Sequence, residues 1–173
     1  KLTVRRHGRN FTPGVIEPSF GIGRLLYCLF EHSFYVRGND AQRAVFRFPP
    51  LVAPTKATVF PLVNDAQLNA VAAEVSQALT AAGLTNTMDI TANTIGKRYA
   101  RTDEIGVPFA VTVDRPTLQD GTVTVRDRDS MRQVRVPREE VAQLLRDLAD
   151  QKLSWADVLS NPKYPAQEAA AEN

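Results

Sequence analysis

The sequence predicts an α/β protein with a mixed, largely parallel sheet flanked by helices, preceded by a smaller strand-helix piece. Three observations carry this. Short runs rich in Val, Thr and Phe alternate with longer stretches whose apolar residues recur every three or four positions, the two periods of strand and helix. The run FAVTV at 109–113 has the continuous apolar character of a buried strand. Gly, Pro, Asn and Asp gather between the runs, where turns and caps need them. Strands alternating with helices build a sheet covered on both faces, whose ligands approach the loops at the carboxyl ends of the strands.

The elements follow in order. KLTVRRHGRN at 1–10 is basic and half polar, and reads as a solvated loop or hairpin. It has no initiating Met and no signal-peptide pattern, so the natural start is expected upstream. Residues 15–23 read as strand and turn. From Arg24 the residues Leu25, Leu26, Leu29, Phe30 and Phe34 fall at helical spacing, predicting a helix that buries one face together with Cys28. RGNDAQR at 37–43 is turn-rich, VFRF alternates, and the prolines of PPLVAP bar regular structure. A domain boundary is therefore placed near residue 50, giving parts 1–49 and 50–163, with 164–173 expected to fray.

Beyond the boundary, 58–62 is an apolar strand, and Asn64 or Asp65 caps a helix carrying Leu68, Val71, Ala72, Val75 and Leu79 and ending at Gly83. A strand near 87–91, a short helix at 96–104, the strand at 109–113 and the pair TVTVRD and RQVRV come next. The final helix is expected to use Pro137 in its first turn and to face Val141, Leu144, Leu145 and Leu148 inward.

Twenty-one basic against nineteen acidic side chains leave a net charge of +2, so any nucleic-acid contact must be local. One cysteine forms no internal disulfide and suits a reducing compartment, cytoplasm or organelle matrix. No apolar run approaches the ~20 residues needed to span a bilayer. His7 and His32 stand too far apart, with a single Cys, to give a metal-ligand spacing, so no protein-held metal is assigned.

Two stretches could carry chemistry. EPSFGIGRLLY at 17–27 sets a carboxylate, a hydroxyl, two glycines and an arginine on one turn. Glu17 can pair with an ammonium group and Ser19 can hydrogen-bond the same ligand. Gly21 and Gly23 permit close backbone approach, and Arg24 can stack on a purine or pair with phosphate. A plain tight turn with Glu17 salt-bridged to a neighbour fits the same pattern. TIGKRYARTDEIG at 94–106 suits a polyanion.

These segments, with LFEHSFYVR, IGVPFAVTVD and TVRDRDSMRQVRV, resemble the C-terminal part of the dimeric-type glycyl-tRNA synthetases, a class II family, over about residues 15–159. The resemblance implies that 1–49 is the end of an antiparallel class II catalytic domain, with GIGR as its motif 3, and that 50–163 is a class IIa anticodon-binding domain. It implies ATP-dependent attachment of glycine to tRNA-Gly through glycyl-adenylate, with Mg2+ held mostly by residues outside this chain. It further implies a homodimer in the complete enzyme and little activity for this stretch alone. Glu17, Pro18, Ser19, Phe20 and Gly21 would then bind glycine, and Gly21, Ile22, Gly23 and Arg24 would bind ATP. The anticodon candidates are Lys97, Arg98, Arg101 and Asp103, followed by Asp127 and Arg128, because carboxylates accept from the cytosine amino group while Lys and Arg reach ring acceptors and phosphates. For Arg101, Asp103 and Glu104 an internal salt-bridge network fits equally, and Tyr99 reads as packing before base stacking. Two other readings are a synthetase-like accessory protein without catalysis and a stand-alone α/β domain gripping a small anion.

Overall fold

The computed structural model describes residues 2–38 and 43–167. The turn expected at 37–43 falls mostly, and the end of the expected tail wholly, outside them. The chain divides into two compact units, Lys1–Glu31 and His32–Asn173. Strand contacts place the segment just before residue 50 with the second unit.

In the first unit, β1 (Val4–Arg6) and β2 (Arg9–Phe11) form an antiparallel hairpin. Its turn is His7-Gly8, with φ of 49° and 75°, the left-handed pair that a two-residue hairpin turn requires. The strand expected over 15–23 is absent. Pro13 and Pro18 each remove a ladder donor, and no described residue pairs with this extended stretch. The helix α1 (Ile22–Ser33) begins two residues before Arg24. Its apolar stripe is present but exposed at Leu25, Leu26, Tyr27 and Phe30, and Cys28 is exposed as well. Helical spacing makes an apolar face without guaranteeing a cover for it, so the buried face and buried thiol expected from periodicity are corrected.

In the second unit, β3 (Phe34–Val36) follows α1 directly and pairs with β4 (Ala44–Phe46) as an antiparallel hairpin. The loop after Pro49 is pinned by Lys56, whose Nζ donates to the carbonyls of Pro50, Leu51 and Ala53 at 2.8 Å each. Then come β5 (Ala57–Pro61), α2 (Ala66–Ala81), β6 (Asn86–Met88), α3 (Ile95–Glu104) and β7 (Phe109–Val113). A single turn, α4 (Thr117–Asp120), precedes β8 (Thr122–Asp127) and β9 (Gln133–Pro137). The last elements among the described residues are α5 (Val141–Ala149), α6 (Trp155–Ser160) and β10 (Ala166–Gln167).

The sheet order is β10-β9-β8-β7-β5-β6. Only β5 pairs in parallel, with β6 and β7, while the β7-β8, β8-β9 and β9-β10 ladders are antiparallel, so the sheet is mixed but not largely parallel. The reason is local: the short connections after β7 and β8 permit only antiparallel return, whereas the β5-β6 and β6-β7 crossovers each hold a helix. Period-two alternation then sorts the faces. Val59, Val111, Val113, Val123, Val125, Val134 and Val136 join α2 and α5 in the main core. Thr58, Phe60, Thr112, Thr124 and Arg126 point to the opposite face, where Tyr99 of α3 packs.

Asp65 caps α2 as expected, accepting from the amides of Gln67 and Leu68. Pro137 ends β9 rather than opening α5, because it already sits in the ladder opposite Thr122, and Glu140 takes the capping position. The expected fraying from 164 gives way to β10, which pairs with β9, while the Tyr164 hydroxyl donates to Glu140 at 3.1 Å.

Candidate functional site

The Glu17 turn is an open platform. Glu17, Pro18, Ser19, Phe20, Gly21, Ile22, Gly23 and Arg24 are all exposed, and the side chains of Glu17, Ser19 and Arg24 make no hydrogen bond or ion pair to any described residue. The alternative of a salt-bridged Glu17 is thereby absent from the described residues. Leu25 N–H donates to Gly21 at 3.1 Å, so Gly21 provides the first helical acceptor and leaves the amides of Ile22, Gly23 and Arg24 free at the N-terminus of a twelve-residue helix. Neither Gly21 nor Gly23 has a left-handed φ. A Cβ at Gly23 would meet nothing within 4 Å, and one at Gly21 only Arg24 at 4.0 Å. Backbone strain therefore does not explain these glycines; what they leave is bare main chain beside a carboxylate and a guanidinium.

The α3 cluster divides by depth. Thr94 caps the helix, its Oγ1 accepting from Lys97 N–H at 3.4 Å. Lys97 and Arg101, one turn apart, project outward. Arg98 faces inward at 2 % exposure and donates to the carbonyls of Pro61 (2.8 Å), Leu62 (2.9 Å) and Asp89 (3.1 Å), with its guanidinium 5.4 Å from the Phe60 ring centroid. Asp103, also 2 % exposed, takes a bidentate contact from Arg126 at 2.9 and 3.0 Å and a third bond from Arg37 at 2.8 Å. Arg128 is internal too, donating to the carbonyls of Gly106 and Phe48 at 2.9 Å and to the Asp129 carboxylate. Arg98, Asp103 and Arg128 are thus corrected from surface contacts to internal braces: all three are about 2 % exposed, and although Arg98 Nε has no hydrogen-bond partner, its burial keeps it from reaching a base.

Asp127 occupies a middle position. Its carboxylate accepts from the amide and hydroxyl of Ser130 at 2.7 Å, closing the β8-β9 turn, and burial raises its pKa despite those bonds. It lines a cleft of about 530 Å³ with Phe109, Asp129, Lys152 and Trp155, at the opposite end of the strands from Lys97.

Around Lys97 and Arg101 the carboxyl ends of β5 and β6 leave an exposed rim of Leu62, Val63, Met88 and Ile90. Asp89 stands at its edge, 3.7 Å from Arg101. Burial pushes its carboxyl up, but hydrogen bonds from Thr91 with the charges of Arg98 and Arg101 outweigh this and hold it below its ordinary value of 3.8. Asp89, Arg37 and Arg126 escaped the sequence reading. The internal network expected for Asp103 exists, but its partners lie 66 and 23 residues away, where no local spacing could reveal them. Tyr99 packs as expected, its hydroxyl 2.6 Å from Thr112 Oγ1 and its ring 4.6 Å from the Arg126 guanidinium.

A family model described as "Anticodon binding domain" matches residues 56–148. The chain belongs to that family. Within this anticodon-binding domain lie β5 to β9 and nearly all of α5, with every candidate from Lys97 to Arg128. Curated relatives match further. A glycine--tRNA ligase of Bombyx mori is 48% identical over 164 residues, covering 94% of this chain and 22% of the relative. Glycine--tRNA ligase 1, mitochondrial, of Saccharomyces cerevisiae is 46% identical over 172 residues, covering 98% of this chain and 25% of the relative. The chain thus spans about a quarter of the length of these relatives. A solved prolyl-tRNA synthetase from Cryptosporidium parvum aligns with a TM-score of 0.58 at 24% identity, over 61% of this chain and 22% of that one, a likeness of fold.

Proposed function

We propose that this chain is the C-terminal part of a glycyl-tRNA synthetase, which activates glycine with ATP and transfers it to tRNA-Gly. The observation that carries the reading is the extent of the match: relatives named glycine--tRNA ligase align along nearly the whole chain, through both the Glu17 turn and the anticodon-binding domain. Residues 1–49 would complete the catalytic domain and 50–163 would hold the tRNA anticodon.

At the turn, the Glu17 carboxylate receives the glycine ammonium group and Ser19 hydrogen-bonds beside it, with Pro18 and Phe20 shaping the wall. A hydrophobic contact distinguishes one methyl by only ~1–3 kcal/mol, so excluding alanine requires a pocket that clashes with it. Gly21, Ile22 and Gly23 present bare main chain to ATP, and Arg24 neutralises phosphate charge as the glycine carboxylate attacks the α-phosphorus and pyrophosphate departs. A hydroxyl of the adenosine at the end of tRNA then attacks the glycyl carbonyl of the adenylate, the ester bond forms and AMP leaves. Positioning and charge neutralisation are what these side chains supply. Among the described residues no group of three or more His, Cys, Asp or Glu could hold a metal ion; in the complete enzyme Mg2+ would be held mostly by residues outside this chain.

At the other site, Lys97 and Arg101 contact the anticodon arm while Arg98 fixes the loops beneath them. A lysine is a point charge rather than a planar fork, which suits phosphate better than a base edge. The complete enzyme would be a homodimer of the cytoplasm or an organelle matrix; no described helix is long and apolar enough to cross a membrane. In that enzyme Arg24→Ala is expected to lower ATP–pyrophosphate exchange at least ~10-fold, the loss of a charge-assisted phosphate contact. Exchange at the parental rate would remove Arg24 from the site. Binding of this chain to tRNA-Gly should also exceed binding to a variant with the anticodon's CC changed to UU, and equal affinities would count against anticodon reading.

A further inference from the structure

The positive charge of this chain is unevenly placed. Residues 1–31 hold five basic and two acidic side chains, leaving sixteen basic against seventeen acidic in the rest. The unit containing the anticodon-binding domain is therefore slightly negative, and the excess resides in the short first unit, which has no acidic residue before Glu17.

Within that unit the charge is concentrated on the β1-β2 hairpin. Arg6 pairs directly with Arg9 across the two strands, next to the His7-Gly8 turn, and Arg5 lies on the other face opposite Asn10. Directly opposed like charges destabilise an antiparallel pair, their Cβ atoms being only ~5 Å apart. None of the three arginines forms an ion pair with a described carboxylate, and all are exposed. Several arginines elsewhere are partnered, Arg126 and Arg37 on Asp103, Arg135 on Asp114 and Arg138 on Glu74, but the single unpartnered ones such as Arg24 and Arg132 do not stand opposite a second arginine in a ladder as Arg6 and Arg9 do. A two-stranded ribbon with arginines side by side and no internal counter-charge is complementary to a phosphodiester backbone.

We propose that this ribbon docks the ribose–phosphate backbone of tRNA, with Arg6 and Arg9 gripping phosphates independently of sequence. The proposal rests on the tRNA-binding reading above for its partner, but not on which bases are read. No base edge need be reached, because guanidinium contacts to phosphate fix register and affinity rather than sequence.

The test is binding of this 173-residue chain to fluorescent tRNA-Gly from 50 to 200 mM KCl, for the parent, the Arg6→Gln/Arg9→Gln double variant, and an Arg132→Gln/Arg138→Gln control that removes the same charge from the other unit. Each lost phosphate contact lowers the slope of log affinity against log salt by ~0.7 to 0.9, so the ribbon variant should lose ~1.4 to 1.8. The affinity gap between parent and variant should then close about tenfold across that range. An unchanged slope, or an equal loss in the control, would overturn the proposal. A thermal melt matching the parent's excludes unfolding as the cause. Repeating the titration with the CC-to-UU tRNA separates the two readings. The ribbon effect should be the same on both RNAs; if discrimination is absent while the slope still falls, anticodon reading fails and the ribbon stands.

Discussion

Arg98 and Lys97 are neighbours in sequence and opposites in role. The helix sends one inward to three carbonyls and leaves the other in solvent. Arg98→Met should cost at least ~2 kcal/mol in chemical denaturation, since bonds to a charged donor are worth ~1.5–3 kcal/mol each and the Pro61 carbonyl would be stranded in a buried position. Lys97→Gln should move stability by less than ~0.5 kcal/mol while weakening tRNA binding. A binding loss in Lys97→Gln that tracks a loss of stability would remove it from the surface contact. Tyr99 gives a pH signature. Burial raises its phenol above the ordinary value of 10.0, opposed by the Thr112 bond and by Arg126 and Arg98. Its neutral form is favoured in the folded state, so its contribution is intact below pH ~10 and drains away as pH rises past the unfolded value. Tyr99→Phe should cost ~1 kcal/mol at pH 7 by leaving Thr112 without its partner, yet show a shallower alkaline decline than the parent. At this scale, sequence resolved chemistry better than depth. Lys, Arg and Asp in 94–106 announced charge, but which of them would be interior depended on Arg37, Pro61 and Arg126, far along the chain.

Among the elements, α3 shows how one helix serves two surfaces. Its inner face ends in Asp103, which joins β8 through Arg126 and the β3-β4 hairpin through Arg37. Asp103→Asn leaves two buried guanidiniums without a counter-charge, and a loss of about 3–5 kcal/mol is expected, read by thermal or urea unfolding. The next residues are equally constrained. Gly106 has φ +81°, and a Cβ there would collide with the Phe48 ring, so Gly106→Ala should destabilise by ~2–4 kcal/mol. A parental melting temperature for either variant would refute the brace. Strands and helices with strong period were legible in the sequence: FAVTV became β7, and the Leu68-to-Leu79 stripe became α2. The failures lie where a partner decides. Residues 15–23 carry strand-like composition but find no ladder, the α1 stripe stays largely exposed, and two residues of a polar tail become a strand because β9 offers them an edge.

For the molecule as a whole, the candidate sites occupy different compact units, and each was recognised by a different kind of signal. The turn at Glu17 was visible as a motif. The α/β architecture of the second unit was visible as an alternation of elements, and its anticodon-binding character only through the resemblance of its motifs to a family. The direction of its strands was not, because apolar runs look the same in parallel and antiparallel ladders and only the connections distinguish them. The closing strand matters beyond its length. Two residues, Ala166 and Gln167, cap the flank of β9, with Pro165 adding a carbonyl to Arg135 N–H at 2.9 Å. A chain cut after Lys163 would bare a row of main-chain donors and acceptors on a Val-rich strand, an adhesive border ready to recruit a second molecule. Such a truncated form should self-associate with rising concentration in sedimentation runs while the intact chain does not, which would make that brief terminal pairing a guard against aggregation.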